Sequence, residues 1–128
     1  MRFIFRKPIS GKKRGRKIGF PTINLPLRKK DKIKRGVYLI KAKVKDKIFF
    51  GVANVGKAKT FGEKEERVEI HLFDFKQKKI DFKIKVWFLK YLRKVKKFKN
   101  KKELKEAIRK DIKKAKKCLQ ELSKKSEK

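Results

Sequence analysis

Val37-Tyr38-Leu39-Ile40-Lys41-Ala42-Lys43-Val44 alternates, with Tyr38, Ile40, Ala42 and Val44 on one face and Lys41 and Lys43 on the other. A period of two is what a strand with one buried face requires. The polar triplet Lys45-Asp46-Lys47 reads as a turn, so Ile48-Phe49-Phe50-Gly51-Val52-Ala53-Asn54 returns as the hairpin partner. Further along, Val68 to Phe75 reads as another strand, with Val68, Ile70 and Leu72 on a core face and Glu69, His71, Phe73 and Phe75 opposite. Gln77 to Asp81 turns the chain into Phe82 to Leu89, whose even positions are apolar. Short strands joined by brief turns, with no helix between them, predict an antiparallel barrel.

Near Asn100 the period changes. Asn100-Lys101-Lys102-Glu103 has the form of a capping box, with Asn100 as N-cap and Glu103 reaching back to it. Leu104, Ile108, Ile112, Ala115, Leu119 and Leu122 then recur at three- and four-residue steps, which predicts one apolar stripe on a helix packed against the barrel. Residues 1–128 are read as one domain, with the barrel over about 1–92, the helical region over about 93–122 and a frayed end after it. Cys118, the one cysteine, excludes an internal disulfide and reads as a structural thiol. No apolar run has the length of a membrane span and the start is too short for a signal peptide, so the expectation is a cytoplasmic monomer without membrane contact.

Charge is the most conspicuous bulk property: 45 Lys+Arg against 13 Asp+Glu give a formal net charge of +32. It reads either as a footprint for a polyanion or as a lysine-biased composition that fills every solvated position. Lysine dominates over arginine and is spread along every segment, which favours the second. No specific nucleic acid is expected, and nonspecific RNA binding follows from charge alone.

Three groups of residues could carry chemistry. In Gly19-Phe20-Pro21-Thr22-Ile23-Asn24-Leu25, Thr22 and Asn24 sit two apart on one side of an extended segment and present two neutral oxygens together. Hard oxygens suit a magnesium-bound phosphate; a turn threonine and a self-bonded asparagine are the plain alternative. Glu69 shares a strand face with aromatics, which predicts a partly desolvated carboxylate tuned as a general base. A surface glutamate paired with lysine is its alternative. The preceding run supplies Gly11, Gly15 and Gly19, whose backbone amides can approach an anion, with Arg14, Arg16 and Lys17 for charge. It lacks the G-K-[ST] of a Walker loop, and a basic surface loop is the bland reading. His71, the one histidine, cannot build a zinc site without cysteines or further histidines.

The glycine-punctuated run ending in Gly19-Phe20-Pro21-Thr22-Ile23-Asn24-Leu25 resembles the signature of the riboflavin kinase (flavokinase) family. Gly36-Val37-Tyr38, Ala53-Asn54-Val55-Gly56, Thr60-Phe61-Gly62, Val68 to Phe75, and Leu92-Arg93 with Phe98, Glu103-Leu104 and Asp111 are similar to its later segments, in the same order. The resemblance implies a mainly β fold: a compact six-stranded antiparallel (Greek-key) barrel with a C-terminal amphipathic helix packed on it. It implies transfer of the ATP γ-phosphate to the ribityl 5'-hydroxyl of riboflavin, giving FMN and ADP. Glu69 would be the base, and Thr22 and Asn24 would hold magnesium, or zinc or manganese in its place. Gly11, Arg14, Gly15, Arg16, Lys17, Gly19, Pro21, Thr22, Asn24 and His71 would surround the nucleotide. Asn24, Arg93 and Ile80 would lie towards the flavin, Arg93 opening the helical region.

The chain departs from the family in places. The proline of the family's P-T-F-G is Lys59, its D-L-Y-G turn reads Lys78-Lys79-Ile80-Asp81, and Lys94-Val95-Lys96 lacks the family's acidic residue. The nucleotidyltransferase half common in bacterial relatives is absent from this sequence, so the expected product is FMN and not FAD. Two rivals stand beside this reading. One is a basic β-barrel RNA-binding protein, motivated by the charge and eleven phenylalanines; the other is an inactive flavin-binding or regulatory relative.

Overall fold

The computed structural model describes residues 2–9, 22–57, 66–76 and 80–126. Six strands form one antiparallel sheet: β1 (Phe3–Arg6), β2 (Ile23–Pro26), β3 (Gly36–Val44), β4 (Lys47–Lys57), β5 (Glu66–Leu72) and β6 (Ile84–Arg93). Their order is β1-β6-β3-β4-β5-β2. The run β3-β4-β5 is made of sequential neighbours, and β6 returns to lie beside β3, which is the Greek-key arrangement. The β3–β4 hairpin is tighter than the sequence suggests: Val44 pairs with Lys47, leaving Lys45 and Asp46 as the loop. Lys45 adopts the left-handed conformation that such two-residue turns demand.

Alternation places Leu25, Ile40, Ala42, Val55, Val68, Ile70, Ile84 and Val86 inside the barrel with no exposed surface. Burying each larger aliphatic contributes about 1.5–3 kcal/mol, so this interior is the main source of stability. The two edge strands, β1 and β2, nearly close the barrel. The Ile9 N–H donates to the Asn24 carbonyl at 2.8 Å, making an isolated antiparallel bridge across the gap. Arg6 finishes the seam from inside. Its guanidinium donates to the Pro26 carbonyl at 2.8 Å and to both oxygens of Asp31, one at 2.5 Å. Both side chains are buried, and a buried charge is tolerated only when paired in this way. The Arg6 hydrogen bonds hold the Asp31 carboxyl below its ordinary pKa against the opposing effect of burial, and the Arg28 N–H adds to them.

The helix α1 runs from Lys101 to Ser126. Asn100 caps it, its Oδ1 accepting from the Glu103 N–H at 2.9 Å. Glu103 reaches back one residue further than a capping box predicts, accepting from the Lys99 N–H at 3.1 Å. Ala115 and Cys118, with Ile112 and Leu119 beside them, pack on Val37, Leu39, Val52 and Leu92, which lie on the outer face of the sheet. Leu122 hangs past the edge and is exposed. Cys118 is a packed structural thiol, as expected. Among the described residues no helix is long and apolar enough to cross a membrane.

Two expectations are corrected by backbone geometry. Phe75 does not share the face of Glu69. Strand β5 ends at Leu72, Asp74 turns left-handed, and Phe75 swings inward to meet Phe49 edge-on at 5.0 Å. Arg93 does not open a helical segment but is the last residue of β6. Register shifts against β3, between Val37 and Tyr38 and between Leu39 and Ile40, keep β6 paired that far.

Candidate active site

Register builds the site. Asn24 on β2 pairs with Glu69 on β5, Glu69 with Asn54 on β4, Asn54 with Val37 on β3, and Val37 with Arg93 on β6. Directly opposed residues share a face, so these five form one row across the outer surface. At about 4.8 Å per strand the row spans roughly 19 Å, long enough for an extended ligand. Gly36 makes its far end possible. A Cβ there would lie 2.8 Å from the Arg93 carbonyl and 2.9 Å from the Tyr91 ring, so only glycine lets β3 approach β6 this closely.

The first half of α1 roofs this row and leaves a cleft beneath it. Thr22, Val52, Asn54, Glu69 and His71 form the floor; Arg93, Lys96 and Phe98 form a side; Leu104 and Ile108 hang from the helix. Its volume of about 90 Å³ exceeds the roughly 10–15 Å³ that holds one water, so the cleft accommodates part of a ligand. Its two ends differ. At one end the Thr22 hydroxyl donates to Glu69 Oε1 at 3.4 Å, with Asn24 beside Glu69 in register. At the other end Phe98, Leu104, Ile108 and Val37 make an apolar slot. A ligand with one apolar part and one polar part matches that polarity.

Arg93 is held rigidly at the apolar end. Its Nε and Nη2 donate to the two oxygens of Asp111 at 2.7 and 2.8 Å, and its Nη1 to the Lys94 carbonyl at 2.9 Å. The fork holds its guanidinium carbon 5.9 Å from the centre of the Phe98 ring. Asn54 contributes something different: its Oδ1 is buried and has no hydrogen-bond partner among the described residues. A buried acceptor left in that state costs free energy that a ligand hydroxyl would recover.

The structure therefore brings together Thr22, Glu69, His71 and Arg93 in one cleft, with Asn24 just beyond Glu69. Ile80 packs against the barrel interior and does not line the cleft. Gly11, Arg14, Gly15, Arg16, Lys17, Gly19 and Pro21 lie outside the described residues, as do Lys59, Lys78 and Lys79. Asn54 and Asp111 carry roles that sequence reading did not assign. Each leaves a trace there: Asn54 is a polar residue at an outward strand position between Val52 and Gly56, and Asp111 is an acid on the apolar stripe of α1. Among the described residues no three His, Cys, Asp or Glu side chains converge to hold a metal ion. The Thr22 and Asn24 oxygens beside the Glu69 carboxylate fit an ion that takes its remaining ligands from phosphate and water.

A family model described as riboflavin kinase (flavokinase) matches residues 3–119. The chain is 41% identical over 114 residues to a bifunctional riboflavin kinase/FMN adenylyltransferase of Haemophilus influenzae, covering 88% of this chain and 37% of that protein. It is 42% identical over 113 residues to the protein of the same description from Bacillus subtilis, covering 85% and 36%. A crystal structure described as a macrolide-efflux protein from Streptococcus pneumoniae superposes with a TM-score of 0.70 at 30% identity, over 85% of this chain and 36% of that one. The chain thus spans little more than a third of the length of these two relatives.

Proposed function

The chain belongs to the riboflavin kinase (flavokinase) family, and on that premise we propose that it phosphorylates riboflavin with ATP. The ribityl 5'-oxygen attacks the γ-phosphorus, the bond from that phosphorus to the β–γ bridging oxygen breaks, and FMN and ADP leave. Glu69 takes the proton from the attacking hydroxyl and afterwards returns it to solvent. The observation that carries this reading is the hydrogen bond from Thr22 to Glu69 at 3.4 Å, at the polar end of a cleft whose other end is apolar. It supports a reacting centre where phosphate ligands and base meet.

Phosphoryl transfer depends on positioning and charge neutralisation more than on covalent help. Thr22 and Asn24 would hold a divalent cation, magnesium or else zinc or manganese, which would offset charge on the phosphates. Asn54 Oδ1 accepts a hydrogen bond from a ribityl hydroxyl and so aligns the tail with Glu69. Arg93, locked by Asp111, and Phe98 position the ring system in the slot. By the family resemblance the run Gly11 to Gly19, with Arg14, Arg16 and Lys17, would contact the nucleotide, and His71 borders it beside Glu69. Incubation with riboflavin, ATP and magnesium, followed by chromatography of the flavins, tests this. FMN should form, and Glu69→Gln should slow its formation by about 10²–10⁴-fold, the usual worth of a general base. Absence of FMN with any divalent metal or nucleotide rejects the kinase reading; full activity of Glu69→Gln rejects only the base.

A further inference from the structure

The outer sheet face has a second region, away from the cleft and not covered by α1. Phe3 pairs with Trp87 and Phe5 with Lys85 across β1 and β6, and Lys41 on β3 pairs with Trp87. The inward residues of these strands already supply the core, so the fold does not need large rings pointing outward here. Yet Phe3 is 51% and Phe5 56% exposed, on an edge strand where exposed apolar side chains are a liability. Each ring has a lysine at hand: Lys85 Nζ lies 4.2 Å from the Phe3 centroid and 4.9 Å from that of Trp87, Lys41 Nζ 4.6 Å from Trp87, and Lys83 Nζ 5.6 Å from Phe5.

We infer that this face is a binding surface for single-stranded nucleic acid, with bases stacked on Phe3, Phe5 and Trp87 and phosphates met by Lys41, Lys83 and Lys85. The argument is one of complementarity. Cations interleaved with flat rings on neighbouring antiparallel strands match a ligand that alternates negative charge with flat bases. An acidic protein surface would satisfy the lysines and leave the rings unexplained. Exposed cation–π contacts are weak, so a base can take a ring face while the lysine swings to a phosphate. The rings can stack only on unpaired bases, so the surface favours single strand over duplex; lysine offers point charge without the planar fork of arginine, so it does not read sequence. This inference is independent of the kinase reading, because the surface and the cleft occupy different parts of the sheet.

Trp87 is the sole tryptophan, so its emission reports on this face directly. An oligouridylate of about a dozen nucleotides should quench it, more strongly than a duplex of equal charge. F3A/F5A, checked for folding by circular dichroism, should weaken oligouridylate binding roughly tenfold or more at fixed salt. The same variant should leave heparin binding unchanged. Binding of oligouridylate that F3A/F5A does not alter, or that heparin matches with no quenching difference, would reduce the effect to bulk charge and overturn the proposal. Tight, F3A/F5A-sensitive binding to polyglutamate or to phosphatidylserine vesicles in place of oligouridylate would overturn it in favour of another partner.

Discussion

The two ends of one sheet face are built to opposite rules. Under α1 the outward positions are Val37, Leu39 and Val52, aliphatic and buried. Past the helix they become Phe3, Phe5, Ile48 and Phe50, exposed and set among lysines. Strand alternation alone cannot distinguish these ends, since it says only which residues point out. What distinguishes them is whether a second layer arrives, and the layer arrives because α1 carries its own apolar stripe. The cleft forms where that layer lifts off the sheet: Ala115 and Cys118 sit down on it, while Leu104 and Ile108 stand back.

The contrast is broken most severely by truncating the covered end. Leu39→Ala removes a side chain with no exposed surface and should cost about 2–5 kcal/mol in urea denaturation. Asp111→Asn should cost about 2 kcal/mol, below the ~3–5 of a fully buried pair because the Arg93 side chain keeps 21% of its surface in water. Freed from its partner, Arg93 no longer fixes the slot, so the variant should raise KM for riboflavin more than it lowers kcat. A loss in kcat alone would contradict the positioning role.

A pH titration separates both ends from the barrel seam. The folded-state pKa of Asp31 is depressed, so its contribution to stability is complete above the ordinary carboxylate range of about 4 and is lost as pH falls through the lowered value. The melting temperature should therefore drop at acid pH in wild type, and less steeply in Asp31→Asn, whose seam is already weakened. The smallest effect belongs to the bare end. Phe5→Ala should change stability by no more than about 0.5 kcal/mol, and a larger loss would show that this face is core after all.

Much of this was legible in the chain. Tyr38, Ile40, Ala42 and Val44 face inward as their alternation requires, and Thr22 and Glu69, both singled out in the sequence, lie within hydrogen-bond distance. What could not be read depends on partners distant in sequence. Phe75 is turned by one left-handed residue, which a period-two pattern ignores. Asn54 matters because of the strand beside it, and that pairing is visible only once β4 and β5 are in register. Asp111 looks like a flaw in an amphipathic stripe until Arg93 is seen opposite. A polar residue where a pattern calls for an apolar one marks a place to look, without saying what it meets.

The position of β1 has a consequence in time. Its ladder partner is β6, with Phe3 opposite Trp87, Ile4 opposite Val86 and Arg6 opposite Ile84. An early segment must therefore wait for a late one while the β3–β4–β5 meander assembles from near neighbours, and long-range pairings of this kind slow folding. Until β6 is made, the two phenylalanines of β1 have no sheet to stand on.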